Sequence, residues 1–243
     1  MGARPRVLFL SGWSDGPLAL LATDLARAGH AVEWLSPHPL PPGGGAWLLH
    51  PFAPLLLLVA AAALVKRAVV HTESPALALR SLASVAACAA AARLALGWSV
   101  RSSVRRGAER TADRVGAGDI SLVVGYAWGG GMAHRYLSDR RRPPRCPTLL
   151  LAPTVLGMAS LGAAVPVLDV GAGDVSVIFP IEDVLCPHPA TKKLYAGARE
   201  AHGVADGHAL SRPCTAELIF SVASRLASEG TPAGDRGAPS ASE

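Results

Sequence analysis

Residues Ser121 to Ala133 read SLVVGYAWGGGMA, and the fold turns on how this stretch is read. The apolar run through Val124 fits a buried strand, the glycines that follow fit a tight turn, and GGMAHRYLSD fits a helix. Strand, sharp turn and helix form the layout in which a G-x-S-x-G segment raises a nucleophilic serine above a sheet. The five positions here are Gly125, Tyr126, Ala127, Trp128 and Gly129, so an alanine stands at the apex. Either the turn is an accident of a glycine-rich composition, or it is an elbow without a hydroxyl.

The flanking sequence supplies a sheet for such an elbow. VLFL (Val7 to Leu10) predicts a strand buried on both faces, PLALLATDLARA a helix closed by Gly29, and HAVEWL a second strand. Strand, helix and strand within the first 35 residues predict a βαβ unit and a parallel sheet. Further on, TLLLAP and VSVIFP read as buried strands, and SVRRGAERTADRVGAG, HPATKKLYAGAREA and CTAELIFSVASRLASE as helices. The expected class is α/β, a three-layer arrangement around a mostly parallel sheet.

Composition narrows the function classes. Of 243 residues, half are hydrophobic and 17% are charged, less than the roughly one quarter of an average soluble domain. The formal charge of +5 is concentrated at Arg101, Arg105, Arg106 and Arg110 and at Arg140, Arg141, Arg142 and Arg145. Neither run is interleaved with aromatics or accompanied by a nucleic-acid-binding signature, so no nucleic-acid partner is expected. Cys88, Cys146, Cys186 and Cys214 form no C-x-x-C pair, which argues against a structural zinc site or a disulfide framework and for a reducing compartment. The apolar run at the N-terminus is only four residues, too short for a signal peptide, so secretion is not expected.

Two stretches stand apart. AWLLHPFAPLLLLVAAAALV (46–65) and SLASVAACAAAARLALGWSV (81–100) are each about 20 residues long and nearly uncharged, enough to cross a bilayer core of roughly 30 Å. They read as a helical hairpin, either embedded in a membrane or packed as a lid. Arginines after Val100 would favour the cytoplasmic side for the remainder. The expected organisation is a core of residues 1–40 and 100–228, an apolar insertion over 41–99, and a disordered tail over 229–243.

Nucleotide chemistry is not indicated. The Gly129–Gly131 run lacks the Gly-Lys-Ser/Thr that ends a P-loop, and SGWSDG offers only two glycines of a dinucleotide fingerprint. Neither a cofactor nor a metal is expected. Two later residues give the elbow its company. Asp183 lies four residues past VSVIF, and His208 lies in GVADGHALSRP just before the last helix. Both positions belong at the carboxyl edge of a parallel sheet, with the elbow. Each also has an ordinary reading, Asp183 as a helix cap near Pro187 and His208 as a loop histidine. Their order, elbow then acid then histidine, is that of a Ser-Asp-His triad on a hydrolase sheet.

At these residues the chain resembles small α/β-hydrolase-fold proteins, whose segments read roughly VLFLHGW, DVVVGSSWGGAVA, TLLLAPA, VIHGRxDDVVP and GDHRL. The counterparts here are VLFLSGW, SLVVGYAWGGGMA, TLLLAP, VIFPIEDVLCP and DGHAL. The resemblance covers residues 5–40 and 100–228. It departs where the nucleophilic serine falls on Ala127 and a first-loop histidine falls on Ser11. It implies a site in which Asp183 holds the tautomer of His208, and backbone N–H groups of Trp128 and of Gly12 or Trp13 form an oxyanion hole. Ala127 has no nucleophilic atom, which closes acyl transfer through that position. Tyr126, expected to point elsewhere, Cys186 and Ser11 are poor substitutes. Two functional readings follow: a non-catalytic or membrane-associated binding protein for a small ester or hydrophobic acyl ligand, or a hydrolase that uses the His208–Asp183 pair on water. Either could engage a membrane through residues 46–99.

Overall fold

In the computed structural model, residues 6–11, 15–35, 75–139, 146–161 and 174–230 are described, together with positions 59, 62, 63, 66 and 168. Six strands are β1 (Arg6–Leu10), β2 (Ala31–Leu35), β3 (Ile120–Tyr126), β4 (Thr148–Leu151), β5 (Val175–Pro180) and β6 (Glu200–Val204). The helices are α1 (Leu18–Arg27), α2 (Pro75–Gly116), α3 (Trp128–Leu137), α4 (Val155–Ser160), α5 (His188–Leu194) and α6 (Pro213–Glu229). All strand pairs are parallel, in the order β2-β1-β3-β4-β5-β6.

Alternation along the strands explains the layers. Val7, Phe9, Leu122, Val124, Leu149 and Leu151 share one buried cluster with Leu18, Leu21 and Leu25 of α1 and Ile219, Val222 and Leu226 of α6. Their neighbours Leu8, Leu10, Val123, Leu150 and Val177 face the opposite way and are just as buried. On that side α3 packs on the sheet, and Gly107 of α2 lies against Met132 of α3. A sheet covered on both faces needs apolar residues at every position, which is why VLFL and TLLL show no alternation of polarity. The result is the expected three-layer α/β fold.

Chain direction places the site. From β1 the chain moves one way to β2, then crosses to β3 on the other side of β1. The order therefore reverses between β1 and β3, and the carboxyl ends of those two strands flank the crevice where open α/β sheets bind ligands.

The chain divides into two compact units, Met1–Pro37 with Val104–Gly157 and Val165–Glu243, and His38–Ser103 with Met158–Ala164. Three elements differ from expectation or escape it. The apolar segment 81–100 and the polar helix after it are one helix, α2, because no proline or cap interrupts a run of strong helix formers. Among the described residues it is the one helix that is apolar and long enough to cross a membrane, over Ala83–Gly116, with 12% of its apolar window buried. The partner arm, 46–65, lies outside the described residues except for Val59, Ala62 and Ala63, and the tail after Gly230 lies outside them entirely.

The helix expected over 188–201 stops at Leu194, and Glu200–Val204 becomes β6. Tyr195, fully buried, turns the chain inward, and Arg199 N–H donates to Val175 O at 2.9 Å to start the new ladder. β6 is tied by polar groups rather than by an apolar run. Ser176 Oγ donates to Glu200 at 2.6 Å, Arg225 of α6 also binds Glu200, and Arg199 binds Glu229 through contacts of 2.5 and 3.1 Å. A second polar staple joins β2, α2 and the start of β3: Arg114 donates to both oxygens of Glu33, at 2.6 and 2.7 Å, and to Asp119.

Candidate active site

The elbow is built by backbone geometry. β3 runs directly into α3, and Ala127 between them adopts φ 49° and ψ −112°. Such a conformation costs a residue with a Cβ about 1–3 kcal/mol, so it must be held from outside. Ala127 N–H donates to Leu151 O at 3.0 Å, and Ala127 O accepts from Gly131 N and Thr154 N, both at 3.2 Å. The glycines on either side answer to close approach. A Cβ on Gly125 would sit 2.8 Å from Gly129 O, and one on Gly129 would strike the carbonyl of Leu10 at the end of β1. Ala152 (φ 42°) and Leu210 (φ 49°) are the other non-glycine residues of positive φ among the described ones. Ala152 follows β4 and Leu210 follows β6, so backbone strain collects at one sheet edge.

Acid and histidine come from the next two loops of that edge. β5 and β6 pair through Pro180 and Val204, and the pairing continues past both strands. Ile181 N donates to Val204 O at 2.8 Å and Glu182 N to Asp206 O at 3.4 Å. This zipping brings His208 Nδ1–H to Asp183 Oδ2, at 2.5 Å. The other oxygen of Asp183 accepts Leu185 N–H at 2.7 Å. The Asp183 side chain is 2% exposed and that of His208 29%, so the pair is a buried carboxylate backing an accessible imidazole. Asp183 does not cap α5, whose N-cap is Pro187 with no side-chain bond.

Tyr126 differs from expectation. Rather than pointing away, its ring lies 5.7 Å from that of His208, and its hydroxyl donates to His208 O at 3.2 Å. The two halves of the site meet below the surface. Thr154 N–H binds Ala127 O, while the neighbouring Pro153 O accepts the thiol of Cys186 at 3.2 Å. Cys186 Sγ in turn lies with a carboxylate oxygen of Asp183 and a ring nitrogen of His208, all within 4.8 Å of one another. Burial, and then the Asp183 charge, push that thiol well above its ordinary value. A thiol shifted upward in this way is a weaker nucleophile than one of ordinary acidity.

Of the residues expected to form an oxyanion hole, Trp128 is buried as the first residue of α3, and Gly12 and Trp13 lie outside the described residues. Ser11, next to them, is buried at the end of β1. Around the acid loop, Ile181, Val184 and Leu185 are exposed, Val184 by 91%. Beside the histidine loop opens a largely apolar cavity of about 290 Å³, lined by Gly16, Leu20, Leu21, Leu210, Ile219 and Phe220 among others. Sequence reasoning missed Asp206, a buried carboxylate two residues before His208.

Chemically, an imidazole whose Nδ1–H is fixed by a carboxylate can accept a proton at Nε2 from a hydroxyl or a water. Nothing at Ala127 can deliver that proton.

Sheet order, three layers and a strained turn between β3 and α3 define a hydrolase-like α/β fold. No family model matches the chain, and no characterised protein matches it in sequence. A solved structure with a similar course of chain is that of DcsB in complex with its substrate analogue, at a TM-score of 0.46 and 11% identity, covering 94% of this chain and 92% of that one.

Proposed function

We propose that this chain is a binding protein built on a hydrolase-like site, taking a small ester or a hydrophobic acyl compound and held at a membrane by its apolar segment. One observation carries the reading: a methyl group occupies the strained apex at Ala127, while Asp183 and His208 stand paired at 2.5 Å. The covalent route is closed at that atom. In subtilisin, loss of the serine alone lowers turnover by about six orders of magnitude. The exposed Ile181, Val184 and Leu185, together with the apolar cavity beside the histidine loop, fit an apolar ligand better than a charged one.

The hydroxyl can be put back. Ala127→Ser should become labelled by a serine-reactive fluorophosphonate and should gain ester hydrolysis of at least about 10⁴-fold over the parent chain, within the roughly 10⁶-fold that loss of a serine nucleophile costs. Absence of both gains would overturn the triad assignment, and labelling of the unmodified chain would overturn the non-catalytic reading. A second reading, hydrolysis by His208 acting on water, is favoured by the unpartnered Nε2 among the described residues. It predicts ester turnover in the parent chain that disappears in His208→Gln.

Membrane attachment is supported by α2, where Leu94 and Trp98 stand 71% and 58% exposed in an apolar run followed by Arg101, Arg105, Arg106 and Arg110. That charge asymmetry favours the cytoplasmic side. The full chain should sediment with membranes and resist carbonate extraction; recovery in the soluble fraction would refute attachment.

A further inference from the structure

We infer that Asp206 is the positioning residue that holds His208 against Asp183. The loop from Gly207 to Arg212 carries His208 and contains no regular secondary structure, so something other than a helix or strand must fix it. Asp206 stands at its root, at the end of the β6 ladder, with the residue 3% exposed.

Its carboxylate gathers the loop. Oδ1 accepts Gly207 N–H at 2.8 Å, and Oδ2 accepts Arg212 N–H at 2.9 Å, so the two ends of the histidine loop close on one side chain. Ser211 N–H and the Thr215 hydroxyl at the start of α6 also favour the charged form of this group. Burial alone would raise this carboxyl, but the donors outweigh it and hold the group below its ordinary range. Its own carbonyl accepts Glu182 N–H, the residue before Asp183. One residue thus grips the base loop with its side chain and the acid loop with its backbone.

An amide cannot do the same. Asparagine offers one acceptor oxygen, and its NH₂ would face a second backbone N–H across the remaining position. Asp206→Asn therefore releases one end of the loop and changes little else in volume. Thr215→Val removes a hydroxyl that favours the Asp206 charge while keeping its shape.

The readout is the proton between His208 Nδ1 and Asp183, which should give a far-downfield ¹H resonance in the ¹⁵N-labelled full chain, absent in Asp183→Asn. Asp206→Asn should lose or broaden this signal with its circular dichroism unchanged, and Thr215→Val should shift it upfield. A signal left in place in Asp206→Asn would overturn the inference. Should Asp206→Asn fail to fold, an unshifted signal in Thr215→Val would overturn it equally. The inference rests on His208 being the proton acceptor of the site. Because the signal is read without turnover, an inactive Ala127→Ser chain would refute the proposed triad and leave this inference standing.

Discussion

The two halves of the site are held by different means. On the nucleophile side, position is set by backbone: three hydrogen bonds at Ala127, and glycines at 125 and 129 that let α3 close on β1 and β3. On the base side, position is set by side chains, with Asp183 on His208 and Asp206 on the loop ends. The difference decides what each half can lose. A backbone-built elbow keeps its shape whichever small residue stands at the apex, so under the proposed reading an alanine there would forgo a serine's chemistry and leave the architecture. A side-chain-built loop has no such tolerance, since each carboxylate is both the contact and the chemistry.

Substitutions on each side should therefore fail differently. The largest effect is expected on the base side in an Ala127→Ser background. There Asp183→Asn should cost about 10⁴-fold of the gained kcat, as expected when the histidine loses its tautomer. The fold should lose no more than about 1.5–3 kcal/mol, the scale of one hydrogen bond to a charged group. A kcat reduced less than tenfold would remove Asp183 from the site. On the elbow side, Gly129→Ala should act through stability instead. Its Cβ would meet the Leu10 carbonyl, which cannot move without distorting β1, and overpacking of that kind costs about 1–3 kcal/mol or more. Urea denaturation should show the loss directly, and an unchanged midpoint would mean that α3 does not need the close approach.

How much of this was legible depends on which forces set each element. β1, β3, β4 and β5 announce themselves because a doubly covered sheet demands unbroken apolar runs. The elbow was legible for a related reason: Gly125 and Gly129 are demanded by packing within a few residues of the turn. β6 was not, because an edge strand fastened by Ser176, Arg225 and Arg199 has no apolar signature, and Glu200–Val204 passes for the end of a helix. Tyr126 was misjudged because its direction depends on a loop 82 residues away. Asp206 was overlooked for the same cause: the N–H groups of Gly207 and Arg212 converge on it only after the loop has closed at the start of α6. The boundary inside α2 was drawn where hydropathy changes, whereas helix propensity does not change there.

The polar cage around β6 has one more consequence, for where the sheet stops. Among the described residues β6 is the last strand, and its outer edge exposes the backbone groups that could recruit another chain. It is only five residues long, carries Glu200 and His202, and is bracketed by Arg199, Arg225 and Glu229. Short length and fixed charge are the devices by which edge strands resist edge-to-edge aggregation. The loops that carry Asp183 and His208 thus sit beside a margin whose short length and charge disfavour the addition of another strand.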